Sequence, residues 1–120
     1  MVYKLGTLSE LSKLPSMDEK ICERIAENLE ILDGNYGSNR DIDKNNGGYV
    51  LYAEPGAKDT EVLSWFDYEE YVPEYVDRID SDPEYCCSLY LISDDYGIVI
   101  FTALADTPES VTDEICRQDA

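Results

Sequence analysis

The sequence lacks two features on which much of protein chemistry depends, because it contains no histidine and no Cys-x-x-Cys pair. Without imidazole, the usual pairs of nucleophile and base and most transition-metal sites are excluded. Of the four cysteines, Cys86 and Cys87 are adjacent, and Cys22 and Cys116 lie far from them. This arrangement predicts free thiols packed as small hydrophobic residues. We therefore expect no metal, no other cofactor and no enzymatic activity.

Long apolar runs are also missing. No uninterrupted stretch approaches the length of about 18 residues that a membrane-spanning helix needs, and the opening MVYKLGTLSE lacks the basic and apolar segments of a secretory signal. No repeat or Pro/Gly/Ser-rich linker divides the chain. Its 120 residues, 43% of them hydrophobic, suffice for one core. The sequence therefore predicts a single domain over residues 1–120, located in the cytoplasm.

Basic residues are scarce and unevenly placed. The chain has 27 acids against 9 bases, a net charge of −18, and no lysine follows Lys58. Residues 1–60 contain seven bases and eleven acids, whereas residues 61–120 contain two bases and sixteen acids. Such a surface repels the phosphates of nucleic acids and anionic lipids. We therefore expect a basic protein partner, with no direct binding of nucleic acid or membranes.

The negative charge is densest in WFDYEEYVPEYVDRIDSDPEYCC, residues 65–87, which set eight acids and four tyrosines against the single base Arg78. Tyrosine is enriched at protein interfaces, and nearby charge gives steering and selectivity. This pattern predicts a partner-binding face, which an adjoining acidic turn extends. The predicted partner-binding residues are Asp67, Glu69, Glu70, Tyr71, Glu74, Tyr75, Asp77, Asp80, Asp82, Glu84, Asp94 and Asp95.

Two functions are compatible with this face. The net charge of −18 equals that of about 31 Å of duplex DNA, and a compact domain of this size is roughly 35 Å across. The chain is thus as negative, length for length, as a nucleic acid, and its composition is similar to that of small acidic antirestriction and anti-CRISPR inhibitors from bacterial mobile elements. The charge comparison predicts a nucleic-acid mimic that inhibits a basic DNA- or RNA-binding protein. The alternative is a cytosolic accessory or immunity-type protein whose acidity serves solubility or generic charge steering.

Two other acidic patterns are partly compatible with chemical roles. Asp41-Ile42-Asp43-Lys44-Asn45 begins like a calcium loop, but the sixth position is Asn46 instead of glycine and the twelfth is Tyr52 instead of glutamate. Adjacent carboxylates such as Glu69 and Glu70 could serve acid–base catalysis. Adjacent acids are, however, common in a chain with 27 of them. We interpret both patterns as surface features.

The hydrophobic pattern predicts one principal helix. Ile21, Cys22, Ile25, Ala26, Leu29 and Leu32 recur at spacings of three and four, which favours a helix over about 17–32. Ser16 and Glu19 have the spacing of a capping box, and Gly34 is a suitable helix stop. A second, terminal helix is expected after Thr107, with Val111 and Ile115 facing inward.

Strands are predicted on both sides of the acidic segment and within it. The clearest is a hairpin of 88–93 and 98–104 joined by 94–97, and its second strand is apolar enough to be central in a sheet. Further strands are expected at 2–5, at 49–54 after an Asn46-Gly47 turn, and at 74–79, with its acids on one face. A short helix is expected at 60–66. The predicted fold class is α+β, an antiparallel sheet of about four strands with an amphipathic helix packed on one face and a short C-terminal helix.

Overall fold

The computed structural model of the chain describes residues 2–6, 8–36, 48–56, 61, 66, 70, 73–93 and 96–107. These residues form an α+β fold with one α-helix and a five-stranded sheet, which confirms the predicted class. The elements in chain order are β1 (Val2–Leu5), a 3-10 helix (Leu8–Lys13), α1 (Glu19–Tyr36), β2 (Tyr49–Ala53), β3 (Tyr75–Ile79), β4 (Tyr85–Ser93), β5 (Tyr96–Ala103) and a 3-10 turn (Leu104–Asp106).

The sheet is mixed. Its strand order is β1-β2-β5-β4-β3, and β2 pairs with β5 in the parallel sense while the other neighbours are antiparallel. The expected antiparallel sheet of about four strands is therefore correct in three of its four strand pairings, and it differs in having five strands and one parallel pair. After β2 the chain crosses to the far edge, and the meander β3-β4-β5 then returns to the centre. Hydrophobic periodicity reports that a strand exists but not the direction of its neighbour, so the parallel pair was not predicted.

Helix α1 confirms the predicted principal helix, although both of its ends differ from the prediction. Its buried residues recur at spacings of four and three, and each contributes about 1.5–3 kcal/mol when fully buried. The helix begins at Glu19 after Asp18, two residues later than the capping box at Ser16 implies, and it continues through Gly34 to Tyr36. A glycine inside a helix costs only about 1 kcal/mol, which is too little to end a well-packed helix by itself. The buried residues are Ile21, Ile25, Leu29 and Leu32.

A 3-10 helix before α1 contains Leu8 and Leu11, and Leu14 follows directly after its last residue, Lys13. Leu8, Leu11 and Leu14 are three residues apart, and the 3-10 helix has three residues per turn, so that side chains at this spacing lie above one another. Leu11 and Leu14 pack against the core between α1 and the sheet, whereas Leu8 is exposed. This short helix thus closes one end of the helix-covered face of the sheet.

Both faces of the sheet are buried. The face toward α1 includes Val50, Val99 and Phe101, and the opposite face has a separate apolar cluster against which Phe66 packs. The ring of Phe66 meets that of Tyr90 edge-on, with centroids 5.2 Å apart. The apolar run of β5 is central in the sheet, as predicted, and it contributes buried residues to both faces. The second cluster consists of Tyr49, Leu51, Ala53, Tyr90, Ile98 and Ile100.

The predicted 88–104 hairpin is confirmed as β4 and β5, and β4 begins earlier than expected, at Tyr85. Its first residues include Cys86 and Cys87, which are buried free thiols, and Cys22 is a half-buried free thiol. No described helix is long and apolar enough to span a membrane. Several predicted features lie outside the described residues: the Asn46-Gly47 turn, most of the 60–66 helix, the calcium-like Asp41–Asn45 segment, Cys116 and the helix after Thr107.

Two glycines have nearly the same left-handed backbone conformation but different surroundings. Comparing their alanine variants therefore tests how closely β2 approaches β5. Gly48 has φ +85° and Gly56 has φ +86°, but a Cβ on Gly48 would lie 1.9 Å from the carbonyl oxygen of Gly97, whereas a Cβ on Gly56 would meet nothing within 4 Å. We expect Gly56→Ala to cost about 1–2 kcal/mol of unfolding free energy through backbone strain alone. Gly48→Ala should cost more than about 3 kcal/mol, because backbone must also move. Urea unfolding of both variants measures the difference, and equal costs would contradict the close approach of β2 and β5.

Candidate functional site

Most of the predicted partner-binding residues that the structure describes lie along one edge of the sheet. Of the twelve residues, Asp67, Glu69, Tyr71, Asp94 and Asp95 lie outside the described part of the chain. The other seven are Glu70, Glu74, Tyr75, Asp77, Asp80, Asp82 and Glu84. Six of these occupy β3, its flanks and the turn to β4, and Glu70 is a separate exposed position. Edge position and exposure therefore keep much of this acidic segment accessible.

Strand β3 does not gather its acids on one face. Its buried residues are Val76 and Ile79, three apart, so the strand buries one residue on each face of the sheet. Asp77 shares a face with Ile79 and lies toward α1, whereas the adjacent Arg78 points to the opposite face. The acids of 74–79 are Glu74 and Asp77, and their spacing of three positions places them on opposite faces of an extended chain. The expectation that these acids share one face is therefore wrong.

Three polar contacts join helix α1 and its N-cap residue to β3 and the β3–β4 turn. We call this set of contacts the α1–β3 seam. The Nη2 atom of Arg24 lies 2.8 Å from Oδ2 of Asp77. Lys20 Nζ donates to the carbonyl oxygen of Asp80 at 2.8 Å, and the Asp82 amide donates to Oδ2 of Asp18 at 3.0 Å. Successive helix residues thus meet β3 in reverse order, and the bases of α1 are turned toward the sheet edge.

Burial alone lowers the pKa of Arg24, but its hydrogen bond to Asp77 and the neighbouring groups outweigh burial and raise it. Its guanidinium also lies beside the thiol of Cys87, whose pKa burial raises to about 12. A second pair joins Arg78 and Glu84 on the more exposed side of β3. Two of the acids in the predicted face are therefore used within the fold.

The carboxylate of Asp18 binds two segments of the chain, one through each oxygen. Its Oδ1 accepts the amide of Lys20 at 2.9 Å, which is the N-cap role that Ser16 was expected to fill. Its Oδ2 accepts the amide of Asp82, and these two backbone hydrogen bonds lower the pKa of Asp18. The carboxylate is therefore ionised at neutral pH and holds the start of the helix against the β3–β4 turn.

A row of glutamates that the sequence reasoning missed lies on the outer side of α1. Glu19, Glu23, Glu27 and Glu30 are all exposed and lie opposite the buried residues of the helix. At 1.5 Å per residue the row spans about 16–17 Å, a length over which one DNA strand carries about five phosphates. Among the described residues, only Glu27 of this row has an ion-pair partner, Arg24 at 3.8 Å. We call these four residues the glutamate ridge; a helical-wheel projection of 19–30 would have revealed it, whereas a count along the sequence favoured 65–87.

A surface cavity of about 350 Å³ lies where the start of α1 meets the β3–β4 turn. Its lining residues include the acids Asp18 and Asp82. They also include Tyr52 and Tyr85, which are almost completely buried and whose rings stack with centroids 5.6 Å apart. Tyr85 donates its hydroxyl to the Ala53 carbonyl oxygen at 2.6 Å. The remaining lining residues are Ser16, Met17, Ile21, Pro55 and Pro83.

The described residues contain no group of three or more side chains that could hold a metal ion. The thiol of Cys87 stays protonated at neutral pH because burial raises its pKa, so it is not a nucleophile there. Asp18 has a lowered pKa, the opposite direction from that of a general acid kept protonated at neutral pH. What this arrangement offers is an accessible, fixed set of negative charges beside aromatic surface.

Comparisons of the chain with protein-family models, with curated proteins and with solved structures found no match.

The Asp18 contact predicts a pH-dependent stability. Because its folded-state pKa is depressed, the stabilisation is complete above about pH 5 and is lost as the pH falls below the ordinary value of 3.8. We expect Asp18→Asn to lower the Tm by roughly 3–6 °C at pH 7 and by progressively less toward pH 2.5. Asp80→Asn is the matched control, since that residue uses only its backbone oxygen in the seam. Thermal unfolding followed by circular dichroism tests this, and a difference that grows in acid would contradict it.

The glutamate ridge predicts a stability that rises with salt. Glu23 lies one helical turn from both Glu19 and Glu27, and like charges at this spacing destabilise a helix. We expect Glu23→Gln to raise the Tm by about 1–3 °C at low ionic strength and by less at 150 mM salt, where exposed charges are screened. Glu74→Gln makes the same charge change outside the helix and should have a smaller effect. A lower Tm for Glu23→Gln would show that this glutamate is locally compensated.

Proposed function

We propose that this chain is a non-enzymatic acidic domain that acts in the cytoplasm by binding a basic protein, and that it mimics nucleic acid to inhibit a DNA- or RNA-binding protein. Its binding surface consists of the glutamate ridge of α1 and the acidic segment of 74–84, which lie on either side of the α1–β3 seam. The exposed side chain of Tyr75, beside this seam, adds apolar contact area to the acidic surface.

The glutamate ridge is the observation that carries this proposal. Four like charges in a row along one helix oppose folding, and solubility requires only that charges of both signs be dispersed. The bases of the same helix, Lys20 and Arg24, are directed to the seam and leave the ridge uncompensated apart from the Glu27 contact. A row of carboxylates that the fold does not need has its simplest explanation in an external basic partner.

The amount of negative charge on this surface is comparable to that of a nucleic acid, which supports the proposal of mimicry. Residues 18–32 and 74–84 together contain ten acids and three bases. The ridge alone carries four charges over a length at which a DNA strand carries about five. A basic groove that accepts a phosphate backbone would therefore meet a comparable density of negative charge on the helix.

One observation favours the alternative, an accessory or immunity-type protein whose acidity serves solubility or general charge steering. Asp77 and Glu84 are paired with Arg24 and Arg78, and the two faces of β3 separate its charges. These acids help to hold the sheet edge in place, so part of the segment has a structural role. A diffuse acidic patch of this kind steers a partner without imitating a nucleic acid.

The binding proposal is tested by capture from a cell lysate at 50 mM and 150 mM salt. The test variant Glu19→Gln/Glu23→Gln/Glu30→Gln is compared with Glu10→Gln/Glu54→Gln/Glu61→Gln, which has the same net charge and alters acids outside the surface. We expect the wild type and the second variant to retain a specific basic protein at 150 mM salt and the ridge variant to lose it by at least tenfold. Equal retention by both variants, or no specific protein, would contradict the proposal.

Mimicry is then separated from the alternative by competition. A short DNA or RNA duplex is added to the captured complex at constant ionic strength. If the chain occupies the nucleic-acid cleft, the duplex displaces the captured protein, and no ternary complex forms. A stable complex of chain, captured protein and duplex would contradict mimicry and support a charge-steered binder of another surface.

A further inference from the structure

Most of the exposed apolar side chains lie on α1 or on the strands next to it. Among the described residues, four large apolar side chains are exposed. Three of these are Ile31 in α1, Tyr75 in β3 and Leu91 in β4, with exposed fractions of 58%, 47% and 53%. The fourth, Leu8, belongs to the 3-10 helix before α1. Single exposed apolar residues are common, whereas a contiguous group of them indicates a site of interaction.

Tyr75 and Leu91 share a face of the sheet with the half-buried Leu89. Tyr75 is the direct neighbour of Leu89 across β3 and β4, and Leu91 is two residues further along β4, so its side chain points to the same face. A Cβ on Gly97 would lie 3.7 Å from Cδ1 of Leu89 and 3.5 Å from Cδ2 of Leu91, so both leucine side chains lie beside this glycine of β5. Leu89 packs against the core cluster beneath α1, which identifies this face as the one toward the helix.

Ile31 extends this apolar surface onto α1. It follows Arg24 by two helical turns, so it lies on the same side of the helix and about 10.5 Å further along. Arg24 contacts Asp77, and α1 and β3 run in opposite chain directions along the seam. This shift along the helix therefore leads from Asp77 toward Tyr75 at the start of β3. We give the name apolar patch to Ile31, Tyr75, Leu89 and Leu91.

The rim of the apolar patch is acidic. Glu27 precedes Ile31 by one helical turn and Glu30 is its neighbour in the chain, so the exposed end of the glutamate ridge borders the patch. Arg24, a base on this side of α1, is held by Asp77. A second copy of the chain would bring another net charge of −18 against this rim, and anionic lipids would also be repelled. The occupant that fits is therefore apolar at its centre and basic at its edges.

The position of the apolar patch favours a helix over an extended segment as its occupant. An added strand binds through backbone groups at the edge of a sheet, whereas these side chains lie on a face of the sheet and on the surface of α1. An amphipathic helix binds through its apolar side, and basic residues flanking that side would reach Glu27 and Glu30. Helices rich in basic residues are also the elements that many DNA-binding proteins place in the major groove.

We propose that the apolar patch binds a basic amphipathic helix of the partner. This inference rests on the proposed function, because it identifies the element of the basic partner that the domain covers. The patch supplies the apolar centre of the interface, and the glutamate ridge supplies the charged contacts beside it. A few central apolar or aromatic residues surrounded by weaker polar contacts is the usual distribution of binding energy at a protein interface. Imitation of phosphates by charge alone would not require an apolar patch.

The test uses a synthetic peptide as the probe and the ¹⁵N-labelled full chain as the receptor. The peptide has about 14 residues of lysine, alanine and leucine, with its leucines at the spacing i, i+3, i+4 and i+7. An isomer with its leucines distributed around the helix has the same composition and charge but no apolar side. We expect saturable shifts of the Tyr75, Leu89 and Leu91 amide signals with the first peptide and at least fivefold weaker binding of the isomer. Equal affinities would overturn the inference, because the acidic surface would then bind any polycation.

Matched variants locate the probe on the chain. Ile31→Gln/Leu91→Gln removes two exposed apolar side chains without changing the charge, and it should weaken binding of the amphipathic peptide roughly tenfold. Leu8→Gln makes the same exchange outside the patch and should leave the affinity unchanged, and Leu91→Met stays apolar and should retain most of the affinity. If Leu8→Gln weakens binding as much as the double variant does, the patch is not the site. Should the double variant lose its folded amide spectrum, Ile31→Gln alone, on the helix surface, is expected to weaken binding about threefold.

Two further measurements identify the occupant. The Cα shifts of a ¹³C-labelled peptide should become helical on binding, and extended values would show that the peptide adds a strand instead. Sedimentation of the chain alone at 150 mM salt should give a monomer. A dimer that Ile31→Gln/Leu91→Gln dissociates would assign the apolar patch to a second copy and overturn the inference.

The two proposals fail separately. If the peptide does not bind the apolar patch while the wild-type chain still captures a basic protein through the ridge, the patch inference is wrong and the proposed function stands. If the peptide binds the patch but the chain captures no basic protein, the patch is a site for basic helices and the proposed function is wrong.

Discussion

The carboxylate of Asp18 joins two parts of the chain that lie 64 residues apart, and the candidate functional surface depends on that contact. One oxygen begins helix α1 and the other holds the turn between β3 and β4. From this contact α1 and β3 run in opposite chain directions. Lys20 therefore contacts Asp80, and Arg24 contacts Asp77, further along the seam. The cavity and the seam both lie along this contact, and the glutamate ridge faces outward because the apolar side of α1 is buried against the sheet.

The fold tolerates a net charge of −18 because its core does not depend on charge. Both faces of the sheet are buried, and the two apolar clusters on them supply the main stabilising free energy. The few bases of α1 are directed to the sheet edge, so electrostatic repulsion is left on the ridge. A basic partner would relieve that repulsion on binding, and the same charges that weaken the isolated helix would then stabilise the complex.

How far the sequence predicted the structure depended on the kind of signal. Apolar residues at spacings of three and four gave α1, and the β-rich runs around 94–97 gave the β4–β5 hairpin. The helix start was misplaced because Ser16 and Asp18 both fit a cap, and only the distant Asp82 amide distinguishes them. The ridge was missed because charge was counted along the chain, whereas a surface is formed by residues that share a face, as Glu19, Glu23, Glu27 and Glu30 do.

The sequence by itself determined the α+β class, the long helix, the central apolar strand β5 and the excess of acids, since each depends on composition or on local periodicity. Tertiary structure alone decided the parallel pairing of β2 with β5, the burial of both sheet faces and the opposite directions of Asp77 and Arg78. It also decided the juxtaposition of Asp18, Asp82, Tyr52 and Tyr85 around one cavity. The physical reason is that these features arise from contacts between residues far apart in the chain, and local preferences carry no information about which distant segments meet.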